Sequence, residues 1–251
     1  MEIVDQILDC LHADESSLRN CALVYKSWTP SCRRNIFYRV ILNDIFSDFR
    51  RAWQRSIPTT PNGPHFYTRE LTVSLNYFER RYRQSSNAIA GFFEHWFLFV
   101  NVQDLHMRGS VDENTLDKIS IYDTFGHLSA TLRSLSILVT CCSPQALISL
   151  IGSFQHLERL DLKCISFRSS QLPRPLPQSH TFKGSFHFSD WGHPSEEFFT
   201  LFSEHDLQYR EMRVSGECWL QDTGWNKCLA KCADHLEELS IVWTRGSKCV
   251  P

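Results

Sequence analysis

At 251 residues and 42% hydrophobic content the chain has the make-up of a packed globular protein and not of a disordered tail, with room for one large domain or a small one beside a medium one. Its 26 basic and 28 acidic residues leave a formal charge of -2, so the summed field offers nucleic acid or anionic lipid no general attraction. No apolar run approaches the ~18 to 20 residues needed to cross a bilayer, and the first turn of sequence is acidic with no basic leader region, which makes the cytosol or nucleus the expected compartment.

The first predicted helix is "EIVDQILDCLH", where Ile3, Ile7, Leu8 and Leu11 recur at helical spacing against Glu2, Asp5, Gln6 and Asp9. A second follows in "DESSLRNCALVYKSW", capped by Asp14 or Ser16 and carrying Leu18, Cys21, Ala22 and Val24. Pro30 and Ser31 stop and restart the chain, and "SCRRNIFYRV" reads as a third short helix with Ile36 and Phe37 inward. Three helices in about forty residues enclose little of their own surface, so part of this apolar content is expected to meet another protein.

The phrases "EIVDQIL", "LRNCALVYKSW" and "RRNIFYRV" resemble an F-box, the three-helix module that docks onto the Skp-family adaptor of cullin-based ubiquitin ligases. The wording is especially similar to fungal F-box proteins, and the resemblance covers residues 1 to 40. It implies that Ile3, Ile7, Leu11, Leu18, Val24, Trp28, Ile36 and Phe37 are divided between a small core and the adaptor groove, without saying which goes where. The alternative is that all eight fill one core. The Leu-Pro pair that usually precedes the Glu-Ile is replaced by Met1, which implies either a shortened product or an adaptor contact with one anchor fewer.

Beyond residue 40 the chain repeats. "LRSLSIL", "LERLDLK" and "LEELSIV" each read apolar, two spacers, apolar, spacer, apolar. Leu71, Leu105, Leu135, Leu160, Phe186, Met212 and Leu239 then follow one another at steps of 34, 30, 25, 26, 26 and 27 residues, and Val40 with Leu42 supplies a preceding strand. The predicted strands lie near 71–74, 105–108, 135–138, 160–163, 186–189, 212–215 and 239–242. Between them run helical patterns: "IFSDFRRAWQRS", "NAIAGFFEHWFLFV", "VDENTLDKISIYDTFGHL", "SPQALISLIGSF", "PSEEFFTLFSEH" and "DTGWNKCLAKCADHL". Residues 168 to 180, with three alternating prolines, are expected to form an extended connector. The predicted fold class is therefore α/β. Residues 41–251 resemble an irregular leucine-rich-repeat solenoid, right-handed, with a parallel sheet on its concave face. The sequence ends just after its last predicted strand, in "TRGSKCVP", which implies either further repeats or a terminus stabilised in another way.

Strand alternation sends Thr72 and Ser74 to the face opposite Leu71 and Val73, and the same phase exposes His106, Arg108, Asp161, Lys163, His187 and Arg213. Seven strands ~4.8 Å apart make a surface of roughly 30 Å, suited to a protein or peptide more than to a metabolite. No enzyme is expected: there is no phosphate loop, GxSxG or HExxH, and the cluster His187, Asp190, His193, Glu196 has the composition of a strand leaving into a turn and a helix. "ERRYRQ" at 79 to 84 reads as a solvated loop. Ten cysteines without a CxxC pair read as reduced, mostly buried thiols, and Cys228, Cys232 and His235 as a buried helix face instead of a zinc site, so neither metal nor cofactor is expected. Together the resemblances imply a substrate receptor of an SCF-type cullin-RING ligase, holding the adaptor and through it a cullin with residues 1–40 and a target protein with the repeats. The alternative is a non-degradative leucine-rich scaffold with a degenerate F-box.

Overall fold

The computed structural model describes residues 2–42, 63–74, 98–109, 126–138, 144–165, 181–189, 196–216 and 223–243. The fold is α/β with one all-parallel sheet of eight strands lying side by side in chain order, each paired with the next. These are β1 (Arg39–Leu42), β2 (Glu70–Ser74), β3 (Asp104–Arg108), β4 (Ser134–Leu138), β5 (Arg159–Lys163), β6 (Thr181–Ser189), β7 (Asp206–Gly216) and β8 (Glu238–Trp243).

Three helices precede the sheet: α1 (Glu2–Cys10), α2 (Glu15–Val24) and α3 (Thr29–Ile36). Asp14 caps α2, its carboxylate accepting the Ser17 N–H at 3.0 Å. Pro30 does not break the chain as expected but lies in the first turn of α3, where the missing N–H costs nothing. The third helix also ends earlier than its sequence suggests. Arg39 and Val40 leave it to pair with Glu70 and Leu71, so β1 starts two residues after the helix cap.

Four further α-helices are described: α4 (Pro64–Tyr67), α5 (Pro144–Gly152), α6 (Glu196–Phe202) and α7 (Thr223–Cys232). The last three match the predicted patterns. The predicted helices over 45–56, most of 87–100 and most of 111–128 fall outside the described residues, as do the proline connector and "ERRYRQ".

The strand register puts the repeated apolar positions in line. Leu71, Leu105, Leu135, Leu160, Phe186 and Met212 occupy one row, and Val73, Met107, Ile137, Leu162, Phe188 and Val214 the next, all at most 3% exposed. Leu147, Ile148 and Ile151 from α5, Phe198, Phe199 and Phe202 from α6, and Trp225 and Cys228 from α7 complete a single core against that face. Its C-terminal part is aromatic. Phe198 stacks on Phe202 with centroids 5.3 Å apart, and Phe186 stacks on Tyr209 at 5.3 Å.

At the head of each of the first four strands one carbonyl is shared by two successive N–H groups at the start of the next strand. Tyr38 O accepts from Arg69 and Glu70, Arg69 O from Gln103 and Asp104, Gln103 O from Arg133 and Ser134, and Arg133 O from Glu158 and Arg159, all within 2.7 to 3.0 Å. The fifth step differs, because β6 and β7 are longer than predicted. Phe182 and Leu207, both buried, extend their pairing below the expected start, and the register shifts at Gly184/Ser185. Only Ser185 N reaches Glu158 O, at 2.8 Å. Gly184 sits at φ +86°, and a Cβ there would stand 1.9 Å from the same oxygen, so both its backbone angle and its closeness to Glu158 require glycine.

Gly184→Ala is therefore expected to cost about 3 kcal/mol or more in unfolding free energy, read as a lower urea midpoint. Gly126→Ala, where an added Cβ meets nothing within 4 Å, should change it by no more than about 0.5 kcal/mol.

Candidate functional site

Two surfaces follow from this architecture. The first belongs to α1–α3. Their own buried core consists of Leu8, Leu18 and Cys32, with Val4, Leu11, Cys21, Ala22, Trp28 and Ile36 partly buried around it. Ile3 is 73% exposed, Ile7 56%, Leu23 86%, Val24 72% and Tyr25 59%. Of the eight residues tied to adaptor binding, Leu18 is thus wholly internal. Leu11, Trp28, Ile36 and Phe37 are half-buried, and Ile3, Ile7 and Val24 face outward. The inward line of α1 is Val4, Leu8 and Leu11, which corrects the grouping of Ile3 and Ile7 with Leu8 on one face. At about 100° per residue Ile3 lies about 140° round the helix from Leu8, Leu23 about 140° from Leu18, and Val24 about 120° from Leu18. Leu23 and Tyr25 were not singled out by the sequence, although the same rotation marks Leu23 as outward.

Polar contacts fasten this small unit. The Asn35 amide donates to Leu8 O at 3.3 Å and to Asp9 Oδ1 at 2.9 Å, and Arg34 donates to the same Asp9 oxygen at 2.9 Å. The Asn35 bond first, then Arg34, holds the Asp9 carboxyl below its ordinary range, and Ser17 does the same for Asp14. Between α1–α3 and the sheet lies a groove of about 890 Å³ lined by Asp9, Asn35, Tyr38, Arg39 and Glu70 among others. Its carboxylates are already matched: Asp9 by Arg34, Glu15 by Arg19, and Glu70 by Arg39 at 2.8 Å.

The second surface is the sheet face opposite the core. The register aligns Thr72, His106, Ser136, Asp161, His187, Arg213 and Ser240 in one row, and Ser74, Arg108, Leu138, Lys163, Ser189, Ser215 and Val242 in the next. All six residues predicted for target binding therefore share this face. A third row, at the N-terminal ends of the strands, holds Glu70, Asp104, Ser134, Arg159, Ser185, Glu211 and Glu238.

That third row, not expected from the sequence, supplies partners for the first. Glu70 Oε1 meets Arg39 Nε and lies 3.6 Å from His106 Nε2. Glu211 meets Arg213 Nε at 2.5 Å, accepts the Ser185 hydroxyl at 2.9 Å and lies 3.5 Å from His187 Nε2. The Ser185 hydrogen bond, then the Arg213 and His187 charges, hold Glu211 below the ordinary carboxylate range. The missing signal was available, since each Glu stands two residues before the central polar-face position of its strand, Glu70 before Thr72 and Glu211 before Arg213.

Of the cluster His187, Asp190, His193 and Glu196, the middle two fall outside the described residues. Cys228 and Cys232 are buried, with Cys228 Sγ 3.2 Å from Phe199 O and burial pushing the Cys232 thiol up, while His235 is exposed. Among the described residues no group of three His, Cys, Asp or Glu side chains is placed to hold a metal ion, and no helix is long and apolar enough to cross a membrane. Comparison with known proteins assigns no family: no family model matches the chain, and no curated protein matches it closely.

A carboxyl with a depressed folded value contributes stability above its ordinary range and loses it as pH falls through the lowered one. Asp9 and Asp14 therefore make α1–α3 weaken from about pH 4 downward. Asp9→Asn should flatten that acid limb in urea unfolding followed at successive pH values, without altering the slope above pH 6.

Proposed function

We propose that the chain is the substrate-recognition subunit of an SCF-type cullin-RING ubiquitin ligase. On this reading residues 1–40 form an F-box that docks on a Skp-family adaptor and through it a cullin. The repeats form a leucine-rich solenoid whose concave face holds a target protein. The chain supplies no catalytic group, its contribution being to hold the target near the transferring subunits, in the cytosol or nucleus.

One observation carries the proposal: the α1–α3 unit, with three fully buried side chains, keeps five large apolar ones in solvent. Soluble proteins leave single apolar residues exposed without consequence, but five on so small a unit amount to a docking surface. Each large side chain buried at an interface contributes ~1.5 to 3 kcal/mol before the costs of association, enough for a few to dominate binding. The chain-ordered parallel sheet supports the second half, because stacked strand and crossover units of about 26 residues build an extended face with alternating polar side chains.

The test is capture of a purified Skp-family adaptor by the full chain. The half-buried Trp28 packs on the small core, so its truncation would confuse folding with binding. Ile7→Asp and Val24→Asp change outward positions instead. Each should weaken adaptor capture at least about tenfold while leaving helical content and the unfolding midpoint unchanged. Leu18→Ala, a core deletion costing about 2 to 5 kcal/mol, gives the signature of simple unfolding for comparison. An intact chain that fails to capture the adaptor would overturn the ligase reading and favour a leucine-rich scaffold with a degenerate F-box.

A further inference from the structure

The apolar rows of the core do not stop at β7. Leu239 and Ile241 on β8 stand in register with Met212 and Val214 and extend the same two rows. The earlier members of both rows are at most 3% exposed, whereas Leu239 is 43% and Ile241 37% exposed. Beyond β8 no further strand lies among the described residues, so these side chains border an open sheet edge. Proteins usually blunt such an edge with lysine, proline or a bulge. Past Glu238, β8 reads Leu-Ser-Ile-Val-Trp, and its pairing with β7 runs without a register shift.

The backbone fixes how this edge can be filled. Arg210 O accepts the Glu237 N–H at 2.8 Å, as Arg133 O accepts that of Glu158 at 2.7 Å. Glu237 itself stands just ahead of β8, where the carbonyl that starts a next strand belongs. Among the described residues no N–H reaches Glu237 O. In a parallel ladder alternate residues turn their N–H and C=O to the same side, and in phase with Glu237 these are Leu239 and Ile241. The edge therefore takes a strand that runs parallel to β8 and brings two successive N–H groups to Glu237 O.

The register also sets the side chains of the incoming strand. Those beside Leu239 and Ile241 continue the apolar rows, and the one between them stands beside Ser240 on the polar face. The side chain beside Glu238 should be basic. Asp234, Glu237 and Glu238 are exposed around the head of β8, three carboxylates to the two arginines, Arg210 and Arg213, that approach from β7 at 3.8 and 3.4 Å. The edges of a second copy do not meet these conditions. β8 would pair with another β8 antiparallel across a two-fold axis. At β1 the Tyr38 N–H is held by Asn35 O at 3.4 Å, which leaves Arg39 alone to reach the carbonyl.

We propose that the free edge of β8 is a docking site for an extended segment of another protein, added parallel to the sheet and reading basic, apolar, polar, apolar beside Glu238, Leu239, Ser240 and Ile241. The site is separate from the polar face and from α1–α3, and it stands or falls independently of the ligase reading.

The experiment follows amide hydrogen exchange at Leu239 and Ile241 in the full chain by NMR, and binding of the labelled, capped peptide Ser-Lys-Leu-Thr-Val-Thr by fluorescence anisotropy. In the free chain both amides should exchange rapidly, and saturating peptide should slow them at least about tenfold. N-methylation of the first threonine, whose N–H meets Leu239 O, should weaken the peptide at least about tenfold. N-methylation of its leucine, whose N–H points away from β8, should change binding by less than about twofold. Glutamate in place of the peptide's lysine should weaken binding to the native chain, and Glu238→Arg should reverse that preference. Amides protected in the free chain at every concentration mean that the chain covers its own edge, and protection that grows with chain concentration means that a second copy does. Either result overturns the proposal, as do an absence of saturable binding and an equal loss from the two N-methylated peptides.

Discussion

The arrangement depends on a single backbone feature, the carbonyl at the head of each of the first four strands that two successive N–H groups at the start of the next strand share. Tyr38, Arg69, Gln103 and Arg133 each supply it, and each clamp starts the following strand at the same height. Side chains alternate along a strand, so a slip of one residue would turn the Leu71 to Met212 row out into water and bring His106, Asp161 and Arg213 into the core. Burying a row of six large apolar side chains at ~1.5 to 3 kcal/mol each makes such a slip far more costly than any one hydrogen bond it could gain. The two faces are thus products of one register. The apolar row makes the core, and the same phase fixes which polar groups meet across strands on the other side.

Much of this was legible in the chain because the pattern is local. Leu132-x-x-Leu135-x-Ile137 contains the whole clamp unit, the first Leu lying just before the shared Arg133 carbonyl and the other two inside the strand, and Leu157-x-x-Leu160-x-Leu162 repeats the same apolar spacing. Where one letter departs, the pattern hides: Thr68 takes the first place ahead of β2, fully buried with its hydroxyl donating to Pro64 O at 3.0 Å. The lower arms of β6 and β7 were hidden for a different reason. Phe182 and Leu207 are buried by pairing with each other's strands, a contact between segments 25 residues apart that neither segment encodes alone. The early end of α3 is of the same kind, since Arg39 and Val40 suit a helix locally and become a strand because Glu70 and Leu71 offer hydrogen bonds.

The candidate surfaces divide in the same way. Which residues lie on the polar face follows from parity, and all six predicted positions were recovered there. That Asp161 is buried while its neighbour Lys163 is half-exposed depends on what stands on β4 and β6, which no single strand reveals. On α1 Ile3, Val4, Ile7, Leu8 and Leu11 share one apolar stripe about 140° wide, so periodicity could not choose between Leu8 and Ile7 as the inward residue. The choice was made by the partner helices, through Asn35 reaching Leu8 O and Asp9.

The join between the two units bears on how a receptor of the proposed kind would work. The Phe37 N–H closes α3 on Arg33 O at 2.9 Å, the Tyr38 carbonyl next to it is the first clamp of the sheet, and Arg39 begins β1. No flexible tether intervenes: α3 also packs against α4, which leads directly into β2, and Arg39 pairs with Glu70 across the first two strands. A protein held on the polar face would therefore have its position relative to the exposed residues of α1 and α2 set by covalent and hydrogen-bonded geometry over two residues. Proximity catalysis gains when reacting groups are oriented and loses effective concentration when a long linker lets them wander. A rigid splice at Tyr38 is what such a mechanism would require of the subunit that presents the target, and it is a feature that a scaffold gathering partners on loose tethers would have no use for.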